Sequence, residues 1–256
     1  MTFVIFLTGF QRITGGSSGL GEATAKRLLE LGTKVMIFDL QKPKDELYIN
    51  NYVNLSFQKV DITDVKQVMI AIQNTIEMYD KINILINCAG IGYTEPTITA
   101  DGTHNYQQFI NVINVNLIGT FLCCKYAAFY MKENDVDEDD ERGVIINVAS
   151  IAAMEGTKGQ IAYAASKGGI VGMSMPMARD LGPYKIRVST IAPGPIDTGI
   201  KMAPYAHKLK EASVVKRFGY PKEFAMFATH IIENPYIAGS VLRLDGGLVK
   251  PDLSVD

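Results

Sequence analysis

The chain has 256 residues, 47% apolar and 20% charged, an ordinary globular balance that excludes a disordered or collagen-like chain. A net charge of −2 leaves no electrostatic footprint for non-specific binding of nucleic acid or an anionic membrane. No apolar run reaches the ~18 residues of a membrane span, so no membrane span is expected.

Three cysteines, Cys88, Cys123 and Cys124, have no metal-ligand spacing. No metal site is expected, and this odd, sparse set fits free thiols in a reducing compartment better than a disulfide framework. Phe3 to Leu7 is too short and lacks the basic flank of a signal peptide, and the N-terminus is not Arg-rich as a transit peptide would be.

Along the chain, strand-like and helix-like segments alternate. Thr14-Gly15-Gly16-Ser17-Ser18-Gly19-Leu20-Gly21 opens a helix over Glu22 to Leu31, which Gly32 ends. A buried strand is expected just before that loop, yet Phe10-Gln11-Arg12-Ile13 puts two polar residues there. Phe3 to Leu7 is the better strand by composition but stands too far from the loop. Residues 1–13 are therefore an atypical segment, expected to weaken cofactor affinity or stability.

Strands follow at Lys34 to Phe38, closing on Asp39, and at Leu55 to Val60, closing on Asp61. Asp64 to Tyr79 has apolar residues at helical spacing, with Asp64 and Gln67 as its start box. Ile82 to Ile86 is a strand breaking at Asn87-Cys88-Ala89-Gly90, and a long helix over Tyr106 to Lys132 contains Asn116. The acidic run Asn134 to Glu141 reads as a solvated loop. Then come a strand at Val144 to Val148, a helix at Gln160 to Leu181 and a strand at Ile186 to Ile191. Thr198 to Arg217 reads as a mobile connector, Pro221 to Glu233 as a proline-started helix, and Ser240 to Leu244 as the last strand. No repeat or linker divides the chain. The alternation predicts an α/β fold: a doubly wound, Rossmann-like parallel sheet with helices on both faces, in one domain over residues 1–256.

The chemistry gathers on Ser150 and Tyr163-x-x-x-Lys167. Residues four apart share one helix face, and an ammonium there favours phenolate over phenol, lowering the tyrosine pKa. A tyrosine so tuned passes a proton to or from a carbonyl or alcohol oxygen that a serine hydroxyl holds. The pair alone is a weak signal, although Tyr163 is the only one of 12 tyrosines with a lysine four residues on. The glycine loop, with its small serines at a helix N-terminus, suits a pyrophosphate. Asp39 stands where a carboxylate accepts the adenosine ribose hydroxyls and repels a 2′-phosphate, which favours NAD over NADP; Lys42 lies beyond the strand end. Asp61 is placed to accept an adenine amino group. Cys88 has no base beside it and is not a nucleophile. Asn116 reads either as a structural bond or helix kink, or as a partner in carrying protons from Lys167. His104, His207 and His230 share no spacing and read as surface or packing residues.

Taken together, Thr14-Gly-x-x-x-Gly-x-Gly21, Asn87-x-Ala-Gly90, Asn116, Ser150, Tyr163-x-x-x-Lys167 and Pro193-Gly194 resemble the NAD-preferring group of the short-chain dehydrogenase/reductase family, over about Thr14 to Leu248. Within it the likeness is greatest to mitochondrial members acting on 3-hydroxyacyl-CoA thioesters. The resemblance implies an NAD-dependent dehydrogenase of such thioesters in fatty acid metabolism, with hydroxysteroids as a second substrate class. It implies Tyr163 as acid/base, Ser150 as the group on the substrate oxygen, Lys167 on the nicotinamide ribose, and Asn116 completing a proton path. It implies NAD contacts from Gly15, Ser18, Gly19, Leu20, Gly21, Asp39, Asp61, Ile62, Cys88, Tyr163, Lys167, Ile196 and Thr198, and substrate contacts from Ser150, Gln160 and Tyr163. It also implies a homotetramer built through the two long helices and a mitochondrial location, with the cytoplasm as the alternative. Two other readings stand beside it: a non-catalytic subunit of a tRNA-processing complex with a tRNA methyltransferase partner, and a 3-oxoacyl carrier-protein reductase. The Thr198 to Arg217 connector is shorter than in those members, which leaves substrate preference open.

Overall fold

The computed structural model describes residues 4–9, 16–43, 53–100, 102–199 and 206–248. Seven strands form a wholly parallel sheet in the order β3-β2-β1-β4-β7-β8-β9. They are β1 Val4–Gly9, β2 Lys34–Asp39, β3 Leu55–Lys59, β4 Ile84–Asn87, β7 Gly143–Val148, β8 Ile186–Pro193 and β9 Val241–Leu244. A two-stranded antiparallel hairpin, β5 Ile98–Thr99 with β6 Gly102–Thr103, stands apart from it. Among the described residues the α-helices are α1 Gly19–Glu30, α2 Val65–Tyr79, α3 Tyr106–Ile113, α4 Thr120–Met131, α5 Ile161–Leu181, α6 Ala206–Ala212 and α7 Pro221–Glu233.

Strand alternation explains the layering. Val35 and Ile37 of β2, Ile84 and Ile86 of β4, and Val144 and Ile146 of β7 pack with α1 and α7 on one face. Their neighbours Met36, Phe38, Leu85 and Ile145 pack with α2 and α4 on the other. Both faces are covered, so these strands are apolar throughout, and each fully buried Ile or Leu contributes ~1.5–3 kcal/mol. This is the doubly wound, Rossmann-like single-domain fold expected, with β1 at the reversal of strand order, between β2 and β4.

Three local expectations change. A strand lies at Val4–Gly9, ahead of the position expected for it; it runs in register with β2 from Val4 opposite Lys34 to Gly9 opposite Asp39. The polar pair Gln11 and Arg12 lies outside the described residues, as do Thr14 and Gly15. The expected helix Tyr106 to Lys132 is divided by a π-turn, Asn114–Gly119. The connector after Thr198 contains a helix, α6, which packs Leu209 against Ile151, Phe218 and Leu248.

Helix starts follow their sequences. Asp64 caps α2, its Oδ1 accepting from Lys66 N at 2.9 Å and Gln67 N at 3.1 Å. The acidic loop is largely exposed, but it is anchored where Glu141 pairs with the buried Arg187, whose guanidinium also donates to the carbonyls of Ile231, Ile232 and Ile237.

Candidate active site

The cavity opens at the carboxyl ends of the central strands. It measures about 210 Å³ and is lined by Leu20, Cys88, Gly90, Val148, Ser150, Tyr163, Lys167, Pro193, Gly194, Ile196 and Thr198, among others. β4 delivers Cys88, β7 delivers Val148 and Ser150, α5 delivers Tyr163 and Lys167, and β8 runs into Pro193-Gly194.

Ser150 caps a 3-10 turn, its Oγ accepting from Ala152 N at 3.1 Å. Its hydroxyl also hydrogen-bonds Tyr163. Burial pushes the Tyr163 hydroxyl above its ordinary range, and the bond with Ser150 pulls the other way. With Lys167 in this position the tyrosine is not brought below its ordinary range. Lys167 Nζ donates to Val148 O at 2.7 Å and stands 5.8 Å from the Tyr163 ring centroid. Burial lowers the lysine itself to about 8, opposed by the nearby Cys88 thiol. Cys88 is pushed up to about 12 by burial, with Lys167 acting against that, so it is an inert thiol, as expected.

Asn116 sits in the π-turn, a device that recurs at functional sites. Its side chain is fully engaged: Oδ1 accepts from Ile91 N at 2.7 Å, and Nδ2 donates to Ile91 O and Ser166 Oγ, each at 2.9 Å. The structural reading of Asn116 therefore accounts for every bond its side chain makes here. It nonetheless borders the lysine, since a Cβ on Gly90 would lie 3.3 Å from both Asn116 Oδ1 and Lys167 Nζ. Only glycine leaves that corner open.

The cofactor-side residues form a second group. Ser18 is the N-cap of α1 yet makes no side-chain capping bond, so its exposed hydroxyl and the helix N-terminus are available to an anion. Gly19 takes φ +55° there, a conformation suited to glycine. Asp39 is 6% exposed at the end of β2, accepting from Ser17 N and Gln41 N, each at 3.2 Å. Burial pushes its carboxyl above the usual range, and those backbone bonds oppose the rise. Asp61 instead spends its Oδ1 on Thr63, accepting from the backbone N at 2.9 Å and from the hydroxyl at 2.7 Å. Ile62 is core, packed against Gly119, and Gln160 starts α5 with its Oε1 buried and unpartnered. None of Asp61, Ile62 or Gln160 lines the cavity. Two contributors escaped the sequence reading: the Val148 carbonyl that holds Lys167, and Ser166, which ties α5 to Asn116. A lysine bound to enter a buried corner needs an acceptor, and that was the available signal.

A family model for the short chain dehydrogenases matches residues 12–208. The chain belongs to that family. It is 43% identical over 244 residues to 3-hydroxyacyl-CoA dehydrogenase type-2 of Bos taurus, covering 92% of this chain and 93% of the relative. The Homo sapiens enzyme of the same name is 42% identical over 243 residues, covering 92% and 93%. A solved 3-hydroxyacyl-CoA dehydrogenase type-2 from Mycobacterium avium superposes with a TM-score of 0.88 at 33% identity, covering 98% of this chain and 97% of that one. This short-chain dehydrogenase is an oxidoreductase working with a nicotinamide dinucleotide. The residues present fit such a group: an uncapped helix N-terminus, a buried carboxylate beside the glycine loop, and a cavity running on to a Ser-Tyr-Lys cluster.

Proposed function

We propose that this dehydrogenase interconverts 3-hydroxyacyl-CoA and 3-oxoacyl-CoA with NAD, hydroxysteroids being a second substrate class. The observation that carries the chemistry is the convergence of Ser150, Tyr163 and Lys167 on one cavity. The substrate class rests on the likeness to the 3-hydroxyacyl-CoA dehydrogenases. Ser150 Oγ, already bonded to Tyr163, holds the substrate oxygen. Tyr163 gives that oxygen its proton in reduction and removes it in oxidation. Lys167 turns its ammonium from Val148 O toward the nicotinamide ribose and biases Tyr163 toward phenolate. Asn116 fixes the π-turn beside it and completes a proton path. The dinucleotide, held by Gly15 (outside the described residues), Ser18 to Gly21, Asp39, Asp61, Ile62, Cys88, Ile196 and Thr198, supplies or accepts the hydride. Gln160 borders the substrate.

The preference for NAD rests on Asp39. Its buried carboxylate repels a 2′-phosphate and accepts ribose hydroxyls, the reverse of what an NADP-linked 3-oxoacyl carrier-protein reductase needs. The likeness to mitochondrial members supports a mitochondrial location and a homotetramer. Turnover of acetoacetyl-CoA with NADH against NADPH tests the whole reading. NADH is expected to be preferred at least about ten-fold; preference for NADPH with a carrier-protein substrate overturns it.

A further inference from the structure

The segment from Gly90 to Thr97 is a strut between the two ends of the site. At one end, Gly90 abuts Lys167 and Asn116, and Asn116 grips both backbone groups of Ile91. At the other end, Glu95 N donates to Gly159 O at 2.9 Å. Gly159 precedes Gln160, the residue that starts α5, and Tyr163 lies in the first turn of that helix. Gly159 takes φ +83°, and a Cβ there would meet Thr94 Cγ2 at 3.0 Å, so the strut and the helix start touch closely.

One side chain fixes this second end of the strut. His104 follows the β5–β6 hairpin, and its side chain is 9% exposed. Its Nδ1 lies 2.9 Å from Glu95 O. A carbonyl only accepts, so Nδ1 carries the proton. Tyr93 and Phe109 meet the ring edge-on, with centroids 5.6 and 6.1 Å away. Those same two side chains pack against Ile91, Val112, Val115 and Ala162, the last being the neighbour of Tyr163. Glu95 Oε2 sits 3.7 Å from Nδ1 and accepts from Asn105 N at 2.6 Å, where Asn105 caps α3. Glu95 is thus bonded through its N–H to Gly159 and through its carbonyl and carboxylate to the consecutive residues His104 and Asn105, and Pro96 after it restricts its backbone to extended conformations.

We infer that His104 is a positioning residue of the oxidoreduction site. By holding the Glu95 carbonyl it fixes the strut against Gly159, and so sets where the first turn of α5 carries Tyr163 relative to Ser150. It does not line the cavity. The inference rests on Tyr163 as the acid/base group but not on which ketone is reduced.

The test is steady-state reduction of acetoacetyl-CoA by NADH. In His104→Phe the ring contacts remain and the donor is gone; kcat is expected to fall about ten-fold, since sub-ångström misplacement of an acid/base group is enough for that. KM for NADH should stay within about two-fold, because the strut's other end keeps its Asn116 bonds. His104→Asn carries an amide N–H near the position of Nδ1 and should recover most of the loss, whereas His104→Gln, whose amide sits near Nε2, should not. Wild-type kcat in the Phe variant overturns the inference, as does equal turnover by the folded Asn and Gln variants. If the Phe variant does not fold, the Asn against Gln comparison decides alone. Tyr163→Phe runs alongside: retained turnover there would sink the acid/base assignment instead.

Discussion

Tyr163 and Lys167 act on each other only as far as their surroundings allow. The sequence places them on one helix face, and the helix Ile161–Leu181 keeps them there. What the spacing could not reveal is the acceptor at Val148 O and the burial that lowers the lysine to about 8. Tyr163→Phe removes the proton but leaves the lysine and the cofactor residues in place. It should lower kcat by at least about a thousand-fold while NADH binding, read from NADH fluorescence because the chain has no Trp, changes little. A pH prediction follows from the lysine alone. Below about 8 it is an ammonium, above that an amine, and only the ammonium offers a charged donor to a ribose hydroxyl. NADH affinity should therefore decline as pH rises through about 8 and then level off. Tyr163 lies above its ordinary range and Cys88 at about 12, so neither titrates in that window. A flat affinity profile between pH 7 and 9 would separate Lys167 from cofactor binding.

Elements carry the second level of the argument. Alternating strand and helix patterns made the sheet legible, because a strand covered on both sides must be apolar throughout, as Met36 to Phe38 and Ile84 to Ile86 are. The first strand was misjudged for a physical reason. Its position was inferred from the distance to the glycine loop, whereas Val4–Gly9 pairs with β2 and β4 some six residues earlier. The π-turn was equally hidden, since its extra residue leaves a run of apolar side chains on either side unchanged; only Asn116, a mediocre helix former, hinted at it. That turn brings Leu117 against the catalytic helix. A Cβ on Gly169 would meet Leu117 Cδ2 at 2.6 Å and Cδ1 at 2.9 Å, closer than side chains approach. Gly169→Ala should destabilise by about 1–3 kcal/mol, because overpacking must push the π-turn from α5. Urea melts measure the loss. Gly172→Ala, with nothing near its Cβ position, is the matched control and should be neutral or slightly stabilising.

For the whole molecule, the outward face of α4 and α5 is the feature that a lone chain does not explain. Phe121, Lys125 and Phe129 of α4 and its C-cap Lys132 recur at helical spacing, and Met173, Met177, Asp180 and Tyr184 run along α5 and the turn after it. They border a groove of about 520 Å³, and Phe121, Phe129 and Tyr184 are 45%, 58% and 51% exposed. Large aromatic side chains clustered on one face mark an association surface rather than random exposure. An isologous contact would lay this same face against its own copy across a two-fold axis. We propose this face for one axis of the homotetramer. Phe129→Glu would set a carboxylate among the apolar groups buried there, a desolvation cost that breaking the contact relieves. Because Phe129 packs on no core cluster, the fold should keep its melting temperature apart from what assembly contributes. Sedimentation velocity should then show the assembly reduced to smaller species, with the Ser150, Tyr163 and Lys167 cavity intact in each copy. An unchanged sedimentation coefficient in Phe129→Glu would move the interface to another face.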